Sequence, residues 1–306
     1  MQQKHAKIIC VFFVAIVVGF WYNIKRNNEG IKVMNISEIT RKYDFRFSKK
    51  YGQNFIGDEN LLAAIVSDAQ INEEDIVLEI GPGAGTLTRQ IAKRAKRVVA
   101  YEIDRTLEPI LDDTLAGLDN VEVIFDDIME VSEDEIRANV GDKFKIVANL
   151  PYYITTPILF KFLSSSLGVV SFTVMVQKEV AERICAKPHT SDYGALTVSV
   201  ALKGEASIPR IVNRNNFTPP PNVDSAIVKI DLKKRADVIR EDKIDALVRS
   251  AFAMKRKTLV NNLCSSSGLS RAEVESHLAN LGLKPTVRAE ELSAQQFVDL
   301  CNEMYK

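Results

Sequence analysis

The chain is poor in the residues that build metal centres and disulfide frameworks. Its 306 residues include four cysteines (Cys10, Cys185, Cys264, Cys301) and three histidines (His5, His189, His277), all widely separated. No Cys-x-x-Cys pair occurs, which excludes a zinc ribbon or a disulfide scaffold and fits reduced thiols in the cytoplasm. A charge excess is also missing, since 40 Lys+Arg balance 40 Asp+Glu. Any nucleic-acid surface must then come from local segregation of charge. Long hydrophobic runs are absent with one exception. Residues 8–22, flanked by Lys4, Lys7, Lys25 and Arg26, are uncharged and mostly apolar but shorter than the roughly 20 residues of a full membrane span. This stretch reads as a signal-peptide core, a short anchor, or an extension ahead of a start at Met34. The fold is expected from residue 34 onward, with membrane contact only if residues 1–33 are a real part of the protein.

What is present suffices for a large core: 46% of residues are hydrophobic and 26% charged, and the length suggests one large domain with a smaller one. Arg41-Lys42-Tyr43-Asp44-Phe45-Arg46-Phe47-Ser48-Lys49-Lys50 interleaves five cations with three aromatic rings. Such a segment can lie on phosphates, with Lys49 and Lys50 as contacts, or be a solvated basic arm. Gly52-Gln53-Asn54-Phe55-Ile56-Gly57-Asp58 follows as a polar turn, with Asp58 placed to cap a helix carrying Leu61, Leu62, Ile65 and Val66.

Ile76-Val77-Leu78-Glu79-Ile80 reads as a buried strand that runs into Gly81-Pro82-Gly83-Ala84-Gly85 and then a helix. Strand, glycine loop and helix form a nucleotide-cofactor arrangement, because missing side chains let the backbone approach a ligand. The spacing is E-x-G-x-G-x-G, typical of S-adenosylmethionine enzymes, and not the G-x-G-x-x-G of dinucleotide binders; taken alone, the loop can also be purely structural. The strand over residues 97–102 ends in Glu102, a carboxylate able to accept both hydroxyls of a ribose. The strand over residues 121–125 ends in Asp126-Asp127, one of which can accept an adenine amine.

A fourth strand, residues 145–150, ends in Asn149-Leu150-Pro151-Tyr152. An amide, a proline and an aromatic ring at a strand end can be an ordinary turn, or can present a flat ring and hydrogen-bond acceptors to a planar base. Thr155-Thr156-Pro157 supplies an N-cap and an N1 proline for a helix over 158–163. Further strands are expected over 172–176, 196–202 and 226–230. Phe217-Thr218-Pro219-Pro220-Pro221 forms a stiff loop that can hold Phe217 over a pocket or merely bury it. Beyond Lys233-Lys234-Arg235 only helical periodicity continues, with Lys255-Arg256-Lys257 on the first long helix, either as an RNA grip or as a solvated face.

Taken together, Gly52-Gln53-Asn54-Phe55, Glu79-Ile80-Gly81-Pro82-Gly83-Ala84-Gly85, Glu102-Ile103-Asp104, Asn149-Leu150-Pro151-Tyr152, Phe217-Thr218-Pro219-Pro220-Pro221-Asn222-Val223-Asp224-Ser225 and Lys255-Arg256-Lys257-Thr258-Leu259 resemble the small-subunit ribosomal RNA adenine dimethyltransferases of the KsgA type. The resemblance spans about residues 36–300. It implies an α/β, Rossmann-like, S-adenosylmethionine-dependent catalytic domain over 34–235 and a small α-helical C-terminal RNA-binding domain over 236–306. It also implies dimethylation of adenines, two of them adjacent, in 16S ribosomal RNA during small-subunit biogenesis in the cytoplasm. Cofactor contacts are implied at Asn54, Ile56, Gly81, Gly83, Gly85, Glu102, Asp127 and Asn149, with no metal. Asn149 and the carbonyl of Leu150 or Pro151 would accept the two amine hydrogens, while Tyr152 and Phe217 stack on the base. Ile56 stands where leucine is usual, and Lys255 where arginine is common. The alternatives are the related antibiotic-resistance enzyme acting on large-subunit RNA, and a ribosome-assembly RNA-binding factor for which methylation is secondary. A nicotinamide dehydrogenase is disfavoured by the glycine spacing.

Overall fold

The computed structural model describes residues 35–48 and 50–306. The apolar run over 8–22 and the candidate RNA contact Lys49 lie outside the described residues. Among those described, no helix is long and apolar enough to cross a membrane, and no group of three His, Cys, Asp or Glu side chains is gathered as for a metal ion.

The chain opens with α1 (Ile36–Lys42), started by a reciprocal cap between Asn35 and Glu38. The short strand β1 (Phe55–Ile56) follows, then α2 (Glu59–Asp68). Asp58 caps α2 as expected, its Oδ1 accepting from the backbone N–H of Asn60 at 2.9 Å. An alternation of strand and helix comes next: β2 (Ile76–Ile80), α3 (Thr86–Ala92), β3 (Arg97–Tyr101), α4 (Glu108–Thr114), β4 (Val121–Ile124), α5 (Glu133–Val140), β5 (Phe144–Asn149), α6 (Thr155–Leu163), β6 (Val169–Gln177) and α7 (Lys178–Ile184). The sheet-bearing part closes with α8 (Ala195–Lys203), β7 (Gly204–Val212), β8 (Phe217–Thr218) and β9 (Ser225–Leu232). Four helices complete the chain: α9 (Glu241–Ala251), α10 (Leu259–Ser267), α11 (Arg271–Asn280) and α12 (Ala294–Met304).

Seven strands form one sheet in the order β4-β3-β2-β5-β6-β9-β7. The pairs from β4 to β6 are parallel, and β9 runs antiparallel to both neighbours. Both faces are covered, which is why the parallel strands read as continuous apolar runs and do not alternate. Leu78, Val99, Ile146 and Ala148 face one core with α5 and α6, whereas Val77, Val98 and Val147 face another with α2 and α3. Strand order reverses between β2 and β5, so the carboxyl ends of these two strands flank the crevice in which open α/β sheets bind ligands. Glu79 of β2 is level with Val147 of β5, which brings the glycine loop out beside Asn149.

Two local expectations are corrected. Residues 196–202 form helix α8, not a strand. Its Leu196 and Val200 face the sheet core and its Val198 and Leu202 face the core of the C-terminal helices. A helix buried on opposite sides has no polar stripe, so its apolar residues fall into an alternation that imitates a strand. The strand is instead the following β7, an edge strand whose register shifts between Ser207 and Arg210 around Pro209. At α6, the helix begins at Thr155 and Ile154 occupies the cap without a side-chain bond. The Thr155 hydroxyl turns back to the Pro151 carbonyl at 3.1 Å, and Pro157 sits inside the first turn, where no N–H is needed.

The C-terminal helices do not close a core by themselves. Tyr193, Val198 and Leu202 are buried among Ile244, Val248, Phe297 and their neighbours, and the Tyr193 hydroxyl donates to the Leu292 carbonyl at 2.8 Å. Strands end at Leu232, but the packing that stabilises the helical part reaches back across that point to α8.

Candidate active site

A cleft opens at the carboxyl ends of β2, β3 and β5. On its lining stand Asn54, Ile56, Gly81, Gly83, Glu102, Asp127, Asn149, Leu150, Pro151 and Tyr152. The topology thus gathers into one crevice residues that lie up to a hundred positions apart in the chain.

The glycine loop is shaped for close approach. At Gly83, with φ +59°, an added Cβ would lie 2.9 Å from the Phe55 ring, so only glycine lets β1 pack over the loop. Gly85 does not line the cleft. It precedes α3 with φ +77°, and an added Cβ there would lie 2.8 Å from Thr114 Oγ1. Glycine there permits the tight packing of α3 against α4.

Glu102 is held by the loop it faces. Its Oε2 accepts from Gly83 N–H at 3.1 Å and its Oε1 from Asp104 N–H at 2.9 Å. A carboxylate has about four acceptor positions, so both oxygens retain capacity for a pair of hydroxyls. Burial raises its proton affinity, opposed by those backbone N–H groups. Of the two acids after β4, Asp127 is half-buried and Asp126 is exposed. Asp127 Oδ1 accepts from Met129 N–H at 2.9 Å, which fixes that carboxylate at the cleft.

Asn149 is oriented by its donor. Its Nδ2 donates to the Asn54 carbonyl at 2.9 Å, leaving Oδ1 as an acceptor with no partner among the described residues. The Pro151 carbonyl is already taken by Ile154 N–H and Thr155 Oγ1, each at 3.1 Å. Of the two carbonyls considered from sequence, Leu150's is therefore the available one. Tyr152 is fixed at its far end, its hydroxyl 2.6 Å from the fully buried Ser225 Oγ.

Phe217, expected to stack on the base, is found in the core. It is 3% exposed, packs with Met175, Val212 and Ile227, and does not line the cleft. Through β8 it pairs with Ile56, so the proline-rich segment supports the Asn54-Phe55-Ile56 wall from behind. Lys255, Arg256 and Lys257 lie in the loop between α9 and α10, not on a helix. Lys255 Nζ donates to the Ser191 carbonyl at 2.8 Å, stitching that loop to the segment before α8. Lys50 is exposed beside Tyr51 near the cleft mouth.

Two residues of the sequence motifs, given no site role there, also contribute. Gln53 bridges the N-terminal arm to the β3 end: its Oε1 accepts from Ser48 N–H and its Nε2 donates to Asp104 Oδ2, both at 2.7 Å. Glu79 lines the cleft at 1% exposure, with Oε2 unpartnered. Burial pushes its carboxyl up to about 8, against the neighbouring Thr88 hydroxyl and reinforced by the Glu102 charge. Its signal was visible, as the one acid inside an apolar strand.

A mostly parallel sheet with one reversed strand, β9, next to its edge, a glycine loop at its switch point and acids closing the next two strands define a Rossmann-like methyltransferase. The chain belongs to the ribosomal RNA adenine dimethylase family, whose model matches residues 44–306. It is 44% identical over 276 residues to "Ribosomal RNA small subunit methyltransferase A" of Anoxybacillus flavithermus, covering 88% of this chain and 94% of that protein. Among solved structures, a dimethyladenosine transferase from Plasmodium falciparum is similar with TM-score 0.68 and 31% identity over 80% of this chain and 95% of that one. The 23S rRNA methyltransferase ErmE is similar with TM-score 0.62 and 28% identity, over 83% of this chain and all of that one. Family and fold together imply the use of S-adenosylmethionine.

Proposed function

We infer that this protein methylates the exocyclic N6 amines of adenines in small-subunit 16S ribosomal RNA, two adjacent adenines each receiving two methyl groups, during maturation of the small subunit in the cytoplasm. The observation that carries the chemistry is the orientation of Asn149. With Nδ2 committed to Asn54, the side chain offers an acceptor at the strand end where Tyr152 stands. The relatives that match most of the chain under a small-subunit name support the choice of particle.

An adenine amine is a weak nucleophile because its lone pair is delocalised into the ring. Asn149 Oδ1 and the Leu150 carbonyl accept its two hydrogens and draw the nitrogen towards tetrahedral geometry, which localises the lone pair. Tyr152, held by Ser225, stacks on the base; such stacking is worth about 1–3 kcal/mol. S-adenosylmethionine, when bound, supplies the electrophilic methyl group. The cleft fits that molecule: the loop at Gly81 and Gly83 admits close backbone approach, Glu102 has acceptor capacity for ribose hydroxyls, and Asp127, Asn54 and Ile56 complete its wall. Positioning then does most of the work, because the methylated amine is acidic and loses its proton to water without a strong base. A base must leave its stack to reach this cleft, so an unpaired adenine is the least costly substrate.

The test is to incubate the full-length protein with labelled S-adenosylmethionine and undermethylated small or large ribosomal particles. Label on small-subunit adenines is expected. Label on large-subunit RNA instead would favour the antibiotic-resistance activity, and binding without label would favour an assembly factor.

A further inference from the structure

We propose that Tyr153, with Tyr51 beside it, forms a second base-stacking site at the cleft mouth, which receives the unpaired nucleobase next to the target adenine. The proposal rests on the reading of the cleft as an adenine site. Consecutive residues Tyr152 and Tyr153 diverge. Tyr152 is directed inward, to the buried Ser225 Oγ at 2.6 Å. Tyr153 is 58% exposed, the one aromatic ring among the exposed large hydrophobic side chains of the described residues. Its hydroxyl has no hydrogen-bond partner among those residues, so no polar contact accounts for its position.

The ring is placed by rigid surroundings. It stands in the turn closed by Ile154 N–H on the Pro151 carbonyl at 3.1 Å. Its edge lies 3.6 Å from the position a Cβ would take on Gly52, which itself borders Pro151. Tyr51 and Tyr153 both line the cleft, and Lys50 Nζ lies 4.9 Å from the Tyr51 ring centre. Two rings and a cation therefore share one rim. This combination suits single-stranded nucleic acid, whose bases stack on aromatic faces while its phosphates meet positive charge.

The site also answers an energetic need. Drawing an adenine out of its stack uncovers a face of the adjoining base, and that loss opposes extrusion. Tyr152 and Tyr153 line the same cleft, one directed inward and one exposed, so a base held against Tyr152 leaves the Tyr153 ring as the aromatic surface open to its neighbour in the strand. A ring there restores the stack that extrusion removed. The phosphate joining the two nucleotides would pass near Lys50.

The experiment compares wild type with Tyr153→Ala, Tyr153→Phe and Tyr153→Trp on undermethylated small ribosomal subunits. Tyr153→Ala is expected to raise KM for the particle roughly tenfold, and more than it lowers kcat, whereas the Phe and Trp variants stay near wild type because the ring and not the hydroxyl is needed. S-adenosylmethionine affinity, measured by calorimetry, is expected to stay within about twofold for all three, because Tyr153 is not among the residues proposed to hold the donor. In parallel, binding is measured to a synthetic RNA hairpin with a target adenine in its loop and an abasic site at one flanking position or the other. One abasic site is expected to weaken wild type and leave Tyr153→Ala unaffected. An unchanged KM for Tyr153→Ala, or abasic and Tyr153→Ala losses that simply add, overturns the proposal. A wild-type protein that labels no small-subunit RNA overturns the assigned target instead, and the hairpin comparison still decides the rim.

Discussion

Asn149 Nδ2 donates to the main-chain carbonyl of Asn54 at 2.9 Å across 95 positions of sequence. This one bond decides which end of the amide is free. It joins the turn before β1 to the end of β5, so the Asn54 wall of the cleft and the residue proposed to meet the target base are set by the same contact.

Asn149→Ala is expected to lower kcat by at least about 100-fold, the scale seen when one preorganised polar contact to a reacting group is lost. Binding of S-adenosylmethionine should stay within a few-fold, measured by calorimetry. Asn149→Asp should be as inactive as the alanine variant, because a carboxylate opposes the Asn54 carbonyl with a second oxygen, and it should also destabilise the fold by about 1–3 kcal/mol. Retained turnover in Asn149→Ala would remove the amine-polarising role.

Tyr152 and Ser225 should behave as a unit. Tyr152→Phe and Ser225→Ala each break the 2.6 Å bond and should each lower kcat/KM several-fold, while the double variant falls no further than the worse single one. Tyr152→Ala should cost roughly tenfold or more, because the stacking ring itself is gone. Additive losses in a double-mutant cycle would refute the coupling.

Gly83→Ala places a methyl group 2.9 Å from the Phe55 ring at φ +59°. The ring is clasped by Phe45 and Phe47, with centroids 5.8 and 5.2 Å away, so it cannot retreat without shifting the arm. Affinity for S-adenosylmethionine should drop by at least about tenfold, with a melting temperature several degrees lower. Wild-type affinity in this variant would mean that the loop tolerates a side chain.

Glu79 makes stability depend on pH in a defined direction. Its folded-state pKa of about 8 lies above the ordinary 4.5. Between those values the unfolded chain is ionised while the folded chain holds its proton, so unfolding releases a proton and stability falls as pH rises. The contribution is complete below about pH 4.5 and has been lost above about pH 8. Glu79→Gln is neutral throughout, so urea melts at about pH 5 and about pH 8 should show a smaller loss for the variant than for wild type. Parallel losses would show that Glu79 is ionised in the folded protein.

Much of this protein was legible in its sequence because the determining signals are local. A buried parallel strand must be an apolar run, and a loop that approaches a ligand closely must be glycine. Glu79-Ile80-Gly81-Pro82-Gly83, Glu102 and Asn149-Leu150-Pro151-Tyr152 therefore announced the sheet, its switch point and its chemistry. Tertiary structure decided what depends on two distant elements meeting. Residues 196–202 became a helix because they are buried between two cores. Phe217 went to the core because β8 pairs with β1, and Lys255 became a stitch because Ser191 lies against it. The free acceptors at Asn149 and Leu150 emerged only once Asn54, Ile154 and Thr155 had taken the competing groups. Sequence thus fixed which residue types stand at the strand ends, and hydrogen bonding across the fold decided which of their atoms remain available for a substrate.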